Sequence, residues 1–242
     1  MLLPRLLAAA SSSVRISFDI LIESGEASAA NSPLGFLPPP GPRFFAKANP
    51  LFVIQMYGIN EQGETASILV DDFDPFFYVK VADTWTSSEM NAFVREIKQL
   101  IGNYHKDSLL SWDLVDSQKL YGFTAGKKYK FVKLVFKNTA VLSKAKNLWY
   151  VKNASGNRSL CYYKTKQGKF IYHKDCLPLL VGTELYESNL PPLLRYFHIN
   201  SVWPNGWVSI TGPRSHTGST SCKYEFVVSQ KQVIPMPDKE TV

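Results

Sequence analysis

The sequence predicts an α+β fold, and three observations carry that prediction. Apolar residues alternate along several short segments, as they do in half-buried strands. Two other segments, Met90–Ile101 and Val141–Trp149, repeat their apolar residues at helical spacing instead. From Phe76 onward the order reads strand, helix, strand, strand, helix. One more strand would complete a ferredoxin-like or RNA-recognition-motif-like (RRM-like) sandwich.

Met1–Arg15 is basic, rich in Ser and free of acids. An organellar transit peptide has that composition. Pro4 and Arg5 interrupt the apolar stretch a secretory signal needs, and a disordered leader is the favoured reading. Arg15–Glu23 reads as a strand. Asn31–Pro42 holds five prolines and two glycines and reads as a loop. Phe52–Tyr57 and Thr65–Val70 read as a hairpin turning at Asn60-Glu-Gln-Gly63.

Phe76–Val81 is the next strand. Thr86-Ser-Ser-Glu89 has capping-box spacing. The helix behind it places Met90, Phe93, Ile97, Leu100 and Ile101 on one face, and Gly102 suits its end. Leu109–Phe123 reads as a strand, Ala125-Gly126 as a turn, and Tyr129–Phe136 as another strand. Asn138 or Thr139 caps a second helix with Val141, Leu142, Ala145, Leu148 and Trp149 inward. Tyr162–Ile171 supplies either the last strand of the sandwich or a separate hairpin turning at Gln167-Gly168. Tyr186–Ile199 reads as a helix starting near Ser188, since Pro191 and Pro192 fit only its first turn. Strands follow at Trp207–Thr211 and Lys223–Val228, separated by a polar loop and followed by a Pro-rich tail.

Charge is segregated along this framework. No acidic residue occurs between Asp116 and Asp175, while 14 Lys or Arg lie from Lys119 to Lys174. Outside that tract 13 basic side chains are outnumbered by 20 acidic ones. Tyr121, Phe123, Tyr129, Phe131, Tyr162 and Tyr172 are among the rings threaded through the tract. Lysines that track phosphates beside rings that stack on bases suit a polynucleotide. A solvated cationic face whose rings belong to the core fits the composition equally well.

The Tyr129–Phe136 strand partly fits the RRM signature: Lys127, Tyr129, Phe131 and Val132 match, while Lys128, Lys130 and Leu134 do not. Alternation puts Val132, Leu134 and Phe136 towards the helices, and Tyr129, Phe131 and Lys133 on the other sheet face. In the neighbouring strand it buries Phe77, Val79 and Val81 and exposes Phe76, Tyr78 and Lys80. The expected product is an aromatic and lysine platform. The candidate nucleic-acid-binding residues are Tyr78, Lys80, Lys119, Tyr121, Lys128, Tyr129, Lys130, Phe131 and Lys133. In a larger protein such a face is as often covered by another domain.

No catalytic constellation is visible. Asp71, Asp72 and Asp74 read as solvated turn residues rather than a metal cluster. Phe18-Asp19-Ile20 lacks the second carboxylate of a two-metal strand, because Leu21 takes its place. No Ser/His/Asp arrangement, phosphate loop or HExxH pattern occurs. The three cysteines, Cys161, Cys176 and Cys222, form no CxxC pair and argue for a reducing compartment. Asn153-Ala-Ser and Asn157-Arg-Ser match a glycosylation pattern that is frequent by chance. No apolar run approaches the ~20 residues of a membrane helix.

Several segments taken together resemble a known family. They are Tyr57-Gly-Ile-Asn-Glu-Gln-Gly-Glu64, Phe73-Asp-Pro-Phe-Phe-Tyr-Val79, Lys119-Leu-Tyr-Gly-Phe123, Phe136-Lys-Asn-Thr139, Tyr186–Ile199 and Gly206-Trp-Val208. In this order they are similar to the amino-terminal domain of B-family DNA polymerases of the delta-like type, particularly those of large nucleocytoplasmic DNA viruses. The resemblance spans about Phe52–Val242, with no counterpart for Met1–Arg15 and a freely variable stretch at Asn31–Pro42.

The resemblance implies an OB-like β part (16–74 and 200–235), an RRM-like unit (75–172) and a connecting helix (186–199). It implies the N-terminal fragment of a replicative DNA-directed DNA polymerase with 3′–5′ proofreading, ending before the exonuclease Asp-x-Glu pair and carrying no catalytic residue itself. Mg2+ is expected in the parent enzyme and no cofactor in this segment. The implied partners are template DNA and the exonuclease and palm domains, with a sliding clamp as a further candidate. The compartment would be intracellular, the nucleus or a viral replication site in host cytoplasm. A free-standing single-stranded nucleic-acid-binding module is the alternative.

Overall fold

The structure, a computed structural model, describes residues 13–24, 51–119, 125–152, 156–216 and 220–236. The chain divides into two compact units, Met1–Phe73 with Pro191–Val242, and Asp74–Leu190.

The first unit begins with β1 (Ser13–Ser24), β2 (Val53–Asn60) and β3 (Thr65–Val70), an antiparallel run. The β2–β3 turn forms where the sequence places it. The Asn60 side-chain oxygen accepts the Gln62 and Glu64 backbone N–H groups at 3.0 and 2.8 Å, and Gly63 supplies the positive φ of 75°. Ile54, Met56 and Ile68 are fully buried. The Asn31–Pro42 loop and all but the last three residues of the Met1–Arg15 leader lie outside the described residues.

The second unit contains β4 (Phe76–Lys80), α1 (Ser87–Ile101), β5 (Leu109–Gln118), β6 (Lys128–Phe136) and α2 (Thr139–Lys146). Glu89 accepts the Thr86 backbone N–H at 2.5 Å, and Asn138 Oδ1 accepts the Val141 N–H at 3.0 Å. These contacts satisfy amides that the first helical turn leaves unpaired. Short strands follow: β7 (Tyr150–Lys152), β8 (Arg158–Leu160), β9 (Tyr162–Lys164), β10 (Phe170–Tyr172) and β11 (Glu184–Tyr186).

β11, β4, β6 and β5 form a four-stranded antiparallel sheet in that order. Its core joins Phe77, Val79, Val132, Leu134 and Phe136 to Phe93 and Ile97 of α1, Val141 and Ala145 of α2, and Trp149. Phe77 stacks on Phe136 and meets Trp149 edge-on. The Trp149 indole donates to Thr183 Oγ1 at 2.9 Å.

The chain then re-enters the first unit through α3 (Pro192–Asn200), β12 (Gly206–Thr211), β13 (Arg214–Ser215), β14 (Tyr224–Val228) and β15 (Val233–Pro235). The resulting seven-stranded sheet has the order β13-β14-β3-β2-β1-β12-β15. All its pairings are antiparallel except β14 with β3. In α3, Tyr196 and Phe197 are buried, and Tyr196 meets Phe73 edge-on at 5.4 Å.

Of the two readings of Tyr162–Ile171 the separate hairpin holds, formed by β9 and β10, and β11 is the fourth strand of the sandwich. Three expectations need correction. Tyr186 therefore belongs to a strand, and the helix starts at Pro192 rather than near Ser188. Leu100 is 42% exposed, and Val94 takes its inward place. Gly102, with φ 89°, does close the helix as expected. The polar loop and the Pro-rich tail contain β13 and β15. These strands carry too few residues to show alternation.

Candidate nucleic-acid interface

Alternation places the sequence-predicted residues on two faces of the four-stranded sheet. Tyr78 and Lys80 of β4, with Tyr129, Phe131 and Lys133 of β6, share the face away from α1 and α2. The register pairs Tyr78 with Lys133 and Lys80 with Phe131. Lys130 belongs to the helix side, where its ammonium donates to the Trp85 carbonyl at 2.6 Å. Lys128 has the same parity and is exposed at the strand's start. Tyr121 and Phe123 lie outside the described residues.

The face away from the helices has two dissimilar ends. At one end rings pack on each other. Phe131 meets Tyr186 edge-on at 5.1 Å and Tyr78 at 6.4 Å, and Tyr78 meets Phe76 at 5.5 Å. Phe131 is 4% exposed and Phe76 7%. The expected open display of these two rings is thus corrected, because the neighbouring aromatics seal them. Burial pushes the Tyr186 hydroxyl up to about 12, with Glu184 adding to the effect. Lys133 lays its ammonium 4.1 Å from the Phe76 ring centroid, and Asp113 stands opposite it on β5.

At the other end ammonium groups gather around Tyr129. Lys119, Lys127 and Lys80 lie 4.4, 5.0 and 5.7 Å from its ring centroid. Each is within the range at which a cation is drawn to a ring face. Lys80 also donates to Glu184 at 3.0 Å, and both side chains are largely buried (16% and 10% exposed). Lys127 lies 3.8 Å from Asp83, an exposed pair. Among the described residues Lys119 meets no carboxylate at ion-pair distance. Its pKa is lowered, first by burial and then by the Lys80 charge. A desolvated ammonium beside a second one is a local excess of positive charge that an anion would relieve.

Lys127, Glu184 and Tyr186 were absent from the predicted residues. Lys127 matches the RRM signature and could have been included on that signal. Glu184 stands 104 residues from Lys80 in the chain, and no local pattern couples them.

A second basic and aromatic surface occurs on the β9–β10 hairpin. Tyr163 is 61% exposed and faces its cross-strand partner Ile171, with Lys164, Lys166 and Lys169 close by in sequence. Asp71 and Asp72 serve structure. Asp71 accepts from Arg214 at 2.9 Å, and Asp72 accepts the Gln230 N–H at 2.6 Å. Among the described residues no three His, Cys, Asp or Glu side chains converge as a metal ion requires. Asp19 stands at a register shift in β1, and its side chain is outside the described set.

No family model matches the sequence. The chain is 40% identical over 205 residues to the DNA polymerase of Phaeocystis pouchetii virus, covering 81% of this chain and 18% of that protein. It is 23% identical over 194 residues to the DNA polymerase delta catalytic subunit of Schizosaccharomyces pombe, covering 76% of this chain and 16% of that protein. The family B DNA polymerase of Pyrobaculum calidifontis superposes with a TM-score of 0.52 at 14% identity, covering 92% of this chain and 21% of that one. The chain is therefore a homologue of DNA polymerases. More particularly, it is kin to those of large DNA viruses and to delta catalytic subunits, and it has the fold of part of a family B enzyme. It spans less than a fifth of the length of the curated relatives described here.

Proposed function

We propose that this chain is the DNA-contacting and scaffolding segment of a replicative DNA-directed DNA polymerase. Nucleotidyl transfer and 3′–5′ proofreading, with their Mg2+ ions, belong to other parts of that protein. In this reading no catalytic step is assigned to the segment itself. Template DNA, the exonuclease and palm domains and a sliding clamp are the partners of this reading. A nucleus or a viral replication site is its compartment.

Strand order supports an RRM-like reading of the second unit, with β4, β5, β6 and β11 as its four strands. For the first unit, a three-strand meander flanked by parallel β14 and antiparallel β12 suits an open OB-like part.

The observation that carries the DNA contact is the cluster of Lys80, Lys119 and Lys127 around Tyr129. Ammonium groups held there meet phosphates, and Tyr129 gives a neighbouring base a stacking surface. Tyr78, Phe131 and Lys133 lie at the aromatic end of the same face, and Lys128 starts β6 with the opposite parity.

Fluorescence anisotropy with labelled primer–template DNA across a salt series tests the reading. Lys119→Glu with Lys127→Glu is expected to lower the magnitude of the salt slope by about 2, near 0.9 per lost phosphate. An unchanged slope overturns the assignment of the contact to this cluster. Preference for single-stranded DNA with no affinity for primer–template would favour a free-standing single-strand-binding module instead.

A further inference from the structure

The β9–β10 hairpin has three rungs, Tyr162 with Tyr172, Tyr163 with Ile171 and Lys164 with Phe170. A two-stranded hairpin of that length is marginal on its own. Its ladder runs one step further inward, where the His173 N–H donates to the Cys161 carbonyl at 2.7 Å. A tight turn follows, in which the Cys176 N–H donates to the His173 carbonyl at 2.9 Å. That turn folds Cys176 back onto Cys161. The two sulfurs lie 2.7 Å apart in the core of the second unit, and Cys161 is tied to Trp149 through its own N–H.

We propose that Cys161 and Cys176 form an intramolecular disulfide that closes the base of this hairpin. Contraction by about 0.7 Å brings the sulfurs from 2.7 Å to bonding distance. The oxidant is a small disulfide such as oxidised glutathione. One protein thiolate attacks a glutathione sulfur and expels one glutathione thiolate. The other cysteine then attacks the mixed disulfide and expels the second. Two protein S–H bonds and one glutathione S–S bond become one protein S–S bond and two glutathione thiols. Burial, with the Cys176 contact adding to it, pushes the Cys161 thiol up to about 12, so the closed hairpin reacts slowly. The bond forms while the hairpin folds, and it resists small reductants afterwards. Cys222, the third cysteine, takes no part and stays free.

The test uses the full chain carrying Cys222→Ser, unfolded and refolded in a glutathione redox buffer. The expected product has lost two hydrogen masses, takes up no alkylating agent, and yields one cross-linked peptide pair holding Cys161 and Cys176. Its melting temperature exceeds that of the reduced form, and adding Cys161→Ser abolishes the difference. Two alkylatable thiols after refolding, or a glutathione adduct on each cysteine, overturn the proposal. So does stoichiometric zinc release on mercurial titration of the protein as purified, which would make the pair metal ligands. None of these outcomes depends on DNA binding, so this inference and the polymerase reading fail separately.

Discussion

The two sheets of this molecule handle charge differently. In the seven-stranded sheet, cations meet carboxylates at the surface: Arg15 meets Glu61, Arg214 meets Asp71 and Lys223 meets Glu64. In the four-stranded sheet, three lysines converge on one tyrosine ring; Lys80 and Lys127 meet Glu184 and Asp83, and Lys119 has no carboxylate at ion-pair distance among the described residues. Exposed pairs of the first kind contribute little to stability and need no external partner. A cluster of the second kind repels itself and is relieved by an anion. The basic tract of the sequence therefore matters where folding concentrates it, and not in proportion to its length.

The largest way to break this comparison is to remove the support of the cationic cluster. Phe77→Ala should cost about 3–5 kcal/mol, because its ring is fully buried between Phe136 and Trp149. Hydrogen exchange should then rise in β4, β6 and α1 while β2 and β3 keep their protection. Equal loss in both sheets would show that the units do not fold separately.

The next effect separates buried from exposed ion pairs. Lys80→Met leaves Glu184 uncompensated in a largely buried site and should cost about 2–3 kcal/mol in urea unfolding. Arg214→Ala, which breaks an exposed pair, should change stability by less than about 1 kcal/mol. Similar losses would erase the distinction drawn between the sheets.

Binding sharpens it further. Arg214→Glu with Lys223→Glu removes as much positive charge as the Lys119 and Lys127 reversals, yet should leave the salt slope of DNA binding unchanged. An equal drop would mean that only net charge matters.

Two smaller effects follow from titration. Lys119 has a lowered pKa, so a bound phosphate favours its protonated form and binding takes up a proton. Affinity should fall as pH rises into the alkaline range, and Lys119→Arg should flatten that fall in anisotropy titrations. In the other sheet, hydrogen bonds from Lys223, then Asn60, hold Glu64 at about 2, below its ordinary 4.5. A depressed carboxylate contributes stability above its unfolded pKa and loses it as pH falls towards the folded value. Glu64→Gln should therefore flatten the acid side of the stability profile between those limits.

Much of the second unit was legible because local chemistry and tertiary packing agree there. Thr86 and Glu89 mark the start of α1, Asn138 caps α2, and strict alternation in β6 separates Val132, Leu134 and Phe136 from Tyr129, Phe131 and Lys133. Other features had no local signature. β11 has three residues and earns its place only by pairing with β4. Phe131 alternates like an exposed residue, yet Tyr186, 55 positions later in the numbering, covers it. Lys130 reads as one more cation of the tract, and only the approach of the Trp85 carbonyl shows that it is engaged. Sequence pattern assigned the faces correctly; what lies on top of each face depended on distant partners.

The parallel pairing of β14 with β3 has a consequence for how the polypeptide matures. Val70 and Val228 are register partners, and β12, the neighbour of β1, comes from the same late stretch. During synthesis the early strands must wait for these companions until nearly the whole segment has left the ribosome. The intervening unit is one unbroken stretch, Asp74–Leu190, and can settle first. The split sheet is completed last, which makes its edge strands the place where a stalled or nicked chain would aggregate.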